Sequence, residues 1–304
     1  MGGRGVIKKR RIRTELLLVV KKNDLRKLAA DPRFIPGIYN YCDRWCERCP
    51  LSHRCLTYAV EQADDDPAGR NVHNEAFWKK LQGIFDQTRE MLEEMAAERC
   101  IELDAALPDV EPAADGRHRS RAAAWQHRVA DAAQTYMKMV DGWFEGEKAL
   151  FQDRGRELDT LVQLGLSGVE EQAYRLKDLV DVIRWYQPFI FVKLRRAVSS
   201  SVEEAADRSA SSCDADGSAK IALIAADRSI SAWAEMRSQF PERTDSILDL
   251  LLALDRLRRD VEQAFPYARQ FVRPGFDPSP GETPGAAGVA PEVGPSRQGS
   301  DREG

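Results

Sequence analysis

The chain has 304 residues, 43% hydrophobic and 31% charged, with six Trp and eleven Phe, which is enough apolar material for a globular protein with a buried core. Its formal charge of −4 conceals an asymmetry: Arg4, Lys8, Lys9, Arg10, Arg11 and Arg13 face no acid in the first thirteen residues, and removing that +6 leaves −10 on the remainder. An acidic body repels nucleic acid and anionic lipid, so neither is an expected partner.

No apolar run approaches the roughly 18–20 residues that cross a bilayer. The longest near the start, Leu16 to Val20, is followed by Lys21-Lys22 and is too short for a signal peptide. The expected compartment is therefore the reducing cytoplasm, where clustered thiols bind metal more readily than they form disulfides.

Residues 1–13 read as a solvated basic arm. A first helix is expected from Leu16 to Leu28, stopped at Asp31-Pro32, with Pro36-Gly37 punctuating the approach to the cysteines. A second is expected from Glu75 to Ile101 with Asn74 as its cap, carrying Phe77, Trp78, Leu81, Ile84, Phe85, Met91, Leu92 and Met95 at helical spacing. Ala105 to Arg117, with Pro108 and Pro112, reads as a loop. A third helix spans Arg121 to Phe144 and continues toward Leu164 after a break near Gly142 or Gly146.

Ser167 and Glu170 have the capping-box spacing at the start of a further helix. That helix meets Pro188, where the cost of about 3 kcal/mol predicts a kink or a fresh start. Ser199 to Gly217, rich in Ser, Ala and acids, reads as a mobile loop holding Cys213. Two helices follow, Ser218–Gln239 and Glu242–Phe265, separated by Pro241. Six of the last 32 residues are Pro and seven are Gly, so Arg273–Gly304 is expected to be disordered. No alternating strand pattern is present. The expected fold is all-α, a bundle of about six to seven helices over residues 14–272, with a cysteine-rich segment at 34–59.

The sharpest chemical signal lies in that segment. Cys42, Cys46, Cys49 and Cys55 fall within fourteen residues, while only Cys100 and Cys213 occur elsewhere. Four soft thiolates in so short a span suit zinc or an iron–sulfur cluster. On an unbroken helix Cys42, Cys46 and Cys49 would share one face, with about 10.5 Å along the axis between the outer two. One tetrahedral zinc ion would need that helix to break, whereas a [4Fe–4S] cluster spreads its ligands and tolerates the width. A [4Fe–4S] cluster and zinc are both expected candidates for the site. Phe34, Tyr39, Tyr41 and Trp45 are candidate shields for the site, and His53 is expected to be an exposed loop histidine.

The first three cysteines also have the spacing of radical SAM enzymes, but those need a βα barrel that this helical chain does not offer. The stretch Tyr39-Asn40-Tyr41-Cys42-Asp43-Arg44-Trp45-Cys46-Glu47-Arg48-Cys49-Pro50 resembles the opening of a set of uncharacterised bacterial helical proteins with this cysteine-rich start. The resemblance implies a bacterial, non-secreted helical protein and brings no activity with it.

Elsewhere, none of the four histidines follows a Glu at the di-iron spacing, and no phosphate loop or nucleophile elbow occurs. Two polar rows are candidates for a pocket between helices: Asp178, Asp181 and Arg184, and Asp227, Ser231 and Glu235. The sequence thus predicts a metal-binding helical protein whose site is mainly structural, the alternative being an iron–sulfur redox or electron-transfer enzyme.

Overall fold

The computed structural model describes residues 27–63, 71–98, 127–206 and 214–278. Those residues include seven α-helices, a helical turn at 27–29 and several short 3₁₀ turns, with no strand among them, in agreement with the all-α expectation. The helices are α1 (Leu56–Ala63), α2 (Glu75–Glu98), α3 (Arg128–Gly146), α4 (Lys148–Gln163), α5 (Val169–Ala206), α6 (Asp214–Gln239) and α7 (Thr244–Ala264). The basic arm, most of the first expected helix, the 105–117 loop, Cys100 and Cys213 lie outside the described residues.

The core is built by α3, α5, α6 and α7. On α5, Leu176, Leu179, Ile183, Tyr186, Ile190, Leu194 and Ala197 recur every three or four residues and are all buried, which is the stripe a core-facing helix needs. Helix α6 has no single stripe. Ala219, Ala222, Ala225, Ala226 and Ala232 are buried around its length with Ile221, Leu223, Trp233 and Met236, so small side chains let its neighbours approach from several sides. Trp233 is fully buried, donates from Nε1 to the Tyr136 hydroxyl at 3.0 Å, and meets Trp143 edge to face at 4.9 Å. Burial of this kind needs that hydrogen bond, because an unpaired indole N–H in an apolar core is costly.

Local signals set several boundaries as expected. Asn74 Oδ1 accepts from the Ala76 amide at 3.0 Å and opens α2. The break between α3 and α4 falls at Gly146 and Glu147, and Pro241 begins a 3₁₀ turn ahead of α7. Helix α3 departs from expectation: it starts at Arg128 rather than Arg121, with His127 in an extended conformation as its cap, Nδ1 accepting from the Val129 amide at 3.2 Å.

Two further expectations are overturned. Helix α5 does not restart at Pro188 but runs unbroken for 38 residues. Pro188 sits on the exposed side while Tyr186, Gln187 and Ile190 are buried, so water can satisfy the carbonyl that loses its partner and packing outweighs the proline. Nor is 199–217 all loop: α5 extends to Ala206 and α6 begins at Asp214. Alanine is the best helix former, and Ala197, Val198, Ala215 and Ala219 are buried, so composition alone misleads here. After α7 the packed chain continues through Asp277, whose carboxylate takes Lys220 of α6 at 2.7 Å and Arg273 at 2.9 Å.

Candidate metal centre

The cysteine segment is not a helix. Residues 42–45 are irregular, Cys46–Arg48 and Ser52–Arg54 are single 3₁₀ turns, and α1 starts directly after Cys55. Three neighbours in the sequence therefore do not lie along one helical face, and the axial separation expected from a helix does not apply. Arg44 turns the chain with φ of 59°, a left-handed conformation that costs a non-glycine residue on the order of 1 kcal/mol or more. The loop is closed at its base by the Ile35 amide, which donates to the Arg54 carbonyl at 3.0 Å.

So little regular structure is held in place by contacts to the long helices. Asp43 is the principal anchor. Its carboxylate accepts from the Tyr186 hydroxyl at 2.8 Å and from Arg228 at 2.5 Å, and its carbonyl accepts from Trp185 Nε1 at 3.0 Å. Trp45 stacks on Trp185 at 5.0 Å, and the Arg48 guanidinium lies 3.8 Å above the Trp45 ring while pairing with Asp178 at 2.6 Å. Upstream, Lys193 reaches the Asn40 carbonyl at 3.2 Å, and Tyr41 donates to Asp214 at 3.1 Å. Burial, reinforced by the Asp43 carboxylate, pushes the Tyr186 hydroxyl up to about 12.

All four cysteines are free, half-buried, and line one small cavity of about 20 Å³ together with Ile38, Trp45, Tyr58 and Phe276. As placed, no three His, Cys, Asp or Glu side chains among the described residues converge as closely as a single ion demands. Burial pushes the Cys42, Cys46 and Cys49 thiols up, and neighbouring cysteines add to the rise at Cys46 and Cys49. Thiols in that setting resist ionising unless a cation compensates them, which is what a metal does when it binds thiolate. The donor set fits a thiophilic metal or an iron–sulfur cluster.

The expected shields are partly different ones. Trp45 is there, and the Tyr39 carbonyl accepts from the Cys42 thiol at 3.6 Å. Tyr41 instead packs edge-on against Phe271 at 4.6 Å, and the aromatic cover comes from Tyr58 on α1 and from Phe276 near residue 277. Neither was legible as part of the site, since α1 carries only a short apolar pattern and Phe276 lies in a Pro/Gly-rich stretch. His53 is exposed and does not line the cavity.

A larger cavity of about 500 Å³ adjoins the small one and shares Cys42, Asp43, Trp45, Cys49 and Phe276 with it. Its far wall is formed by α5 and α6. Of the two polar rows, Asp178, Ser231 and Glu235 line this cavity, whereas Asp181, Arg184 and Asp227 do not. Arg184 turns away to Asp141 at 2.8 Å, and Asp227 is held by Arg269 at 2.6 Å. Three guanidiniums, of Arg48, Arg228 and Arg273, also face the cavity, each engaged by a carboxylate. No helix among the described residues is long and apolar enough to cross a membrane. Comparison with protein-family models, with curated proteins and with solved structures returns no match.

Proposed function

We propose that Cys42, Cys46, Cys49 and Cys55 hold a metal–thiolate centre whose main role is to fasten the amino-terminal segment onto α5 and α6. The observation that carries this is the gathering of all four cysteines around one small cavity by a stretch that has almost no regular structure. Three-residue 3₁₀ turns cannot hold themselves together in water, while a thiolate-bound metal contributes on the order of 10 kcal/mol in small structural sites. Four sulfurs lining one cavity suit a [4Fe–4S] cluster, or zinc if the loop tightens on binding.

The adjoining cavity favours a second reading, an iron–sulfur redox or electron-transfer enzyme. A volume of about 500 Å³ is in the range that takes a small molecule, and sharing Cys42 and Cys49 with the thiol site would bring such a molecule beside the cluster. Trp45, Tyr186 and Phe276 offer ring faces, and the arginines offer spare N–H donors to a carboxylate or phosphate.

Anaerobic purification followed by visible spectroscopy and analysis for iron, sulfide and zinc tests both. Cys46→Ser and Cys49→Ser are expected to lose metal, and Cys100→Ser and Cys213→Ser to keep it. A chain made with iron and zinc available that contains neither, and stays fully folded with all four cysteines replaced, would refute the metal centre. Tight colourless zinc would favour the structural role, and a reducible brown chromophore the redox one.

A further inference from the structure

Of the 24 residues of helix α2 only Ala96 is buried, with Phe77, Leu81 and Met91 half-buried. Its apolar residues nonetheless follow a strict pattern. Phe77, Leu81, Ile84, Thr88, Met91 and Met95 are spaced 4, 3, 4, 3 and 4, the 3.5-residue repeat of a coiled-coil seam rather than the 3.6 of a helix laid on a globular core. A second row, Trp78, Phe85 and Leu92, recurs every seven residues along one edge of that seam, and these side chains are 55%, 65% and 57% exposed. The opposite edge carries Lys80, Gln87 and Glu94, also seven apart.

We infer that α2 is a dimerisation helix that pairs antiparallel with α2 of a second copy of this chain. Charge selects the partner and its direction. Residues 75–85 carry a net +1 and residues 86–98 a net −4, so an antiparallel pair sets each basic half against the other's acidic half. A parallel pair would put the two acidic halves side by side and press Lys80 and Gln87 against the apolar edge. A net acidic helix also lacks the Lys/Arg-rich polar face of helices that lie on membranes.

One register satisfies every position. Aligning the seam residues as large on small puts Phe77 across from Met95, Leu81 across from Met91, and Ile84 across from Thr88 of the second copy. The same alignment brings Trp78 beside Leu92 and Phe85 beside its own counterpart on the apolar edge. On the polar edge it sets Lys80 against Glu94 and Gln87 against Gln87. The seam would run about 36 Å, the length of 24 residues at about 1.5 Å each, with the two-fold axis at its centre as a symmetric pair requires.

Sedimentation velocity of the full chain tests the proposal, with folding checked by circular dichroism. The 34.2 kDa chain should move toward twice that mass as its concentration rises through the micromolar range. Phe85→Glu, at an exposed position that leaves the fold intact, should weaken the dimer by at least tenfold by opposing two carboxylates across the axis. Lys80→Glu should weaken it too, and Lys80→Glu with Glu94→Lys should restore it to within about twofold. A chain that stays monomeric at ~100 µM, or a dimer indifferent to Phe85→Glu, would overturn the inference. So would a full-length monomer that dimerises only when residues 1–26 are removed, which would mean that the chain covers its own seam. Failure of the charge swap to restore association would overturn the antiparallel register.

Discussion

At Gly217, in the first turn of α6, Tyr41 of the cysteine segment packs directly against the helix backbone. A Cβ there would stand 2.3 and 2.6 Å from Cε1 and Cδ1 of Tyr41 and 2.8 Å from Cζ of Phe271. Both rings would have to move. Tyr41 is held by its hydrogen bond to Asp214 and by edge-on packing against Phe271, and it immediately precedes Cys42. Overpacking of this kind costs about 1–3 kcal/mol and the disturbed ring pair about 1 kcal/mol more, against a gain of about 0.5–1 kcal/mol from replacing a helical glycine. Gly217→Ala should therefore destabilise by about 1–3 kcal/mol in urea unfolding and lower metal content by shifting Cys42. Gly142 and Gly155 provide the comparison: each is helical with nothing within 4 Å of an added Cβ, so Ala there should be neutral or stabilising by up to about 1 kcal/mol. The reasoning fails if Gly217→Ala behaves like those two.

Asp43→Asn keeps the shape of the anchor but removes the charge that binds Arg228 and Tyr186, and should cost about 1–3 kcal/mol in urea while lowering metal occupancy. Burial first and then Asp43 raise Tyr186, so its contribution is complete below its ordinary value of 10 and is lost as pH climbs toward about 12; the variant, with a less raised Tyr186, should fall less steeply over that range in thermal unfolding. Burial alone would raise Asp277, but hydrogen bonds from Arg273 and Lys220 outweigh it and hold the carboxyl below its ordinary 3.8. Its contribution is therefore present above pH 3.8 and lost as pH falls below it, and Asp277→Asn should flatten that part of an acid-stability curve. Trp233→Phe leaves the buried Tyr136 hydroxyl without its partner and should cost about 1–3 kcal/mol, and adding Tyr136→Phe should recover part of the loss in a double-mutant cycle.

The helices were legible because their signals are local. Asn74, Gly146 and Pro241 act within a turn. What misled was local chemistry outweighed from a distance. Pro188 breaks a helix in isolation but not one whose next turn is buried, and the Ser-rich stretch from Ser199 reads as loop although it continues α5 to Ala206. In the site, the cysteines and Trp45 could be read directly from spacing. The anchors of Asp43 could not, since Trp185, Tyr186 and Arg228 lie more than 140 residues away in the chain. Asp178 and Glu235 reach the larger cavity and Asp181 and Asp227 do not, a distinction set by helix rotation that no spacing rule supplies.

Phe276, which covers the thiol cavity, follows Cys55 by roughly 220 residues. Ribosomes that add about 5–20 residues per second take on the order of 10–45 s to cover that interval. For most of it the helical wall is incomplete, and throughout it the final aromatic cover has not yet been made. Were the cysteines to hold a metal, as proposed, its delivery would have an open window during synthesis that closes when the turn carrying Phe276 and Asp277 docks on α6. A finished chain stripped of its metal would have to lift that turn to reload, which would make loading fast on nascent protein and slow on mature protein.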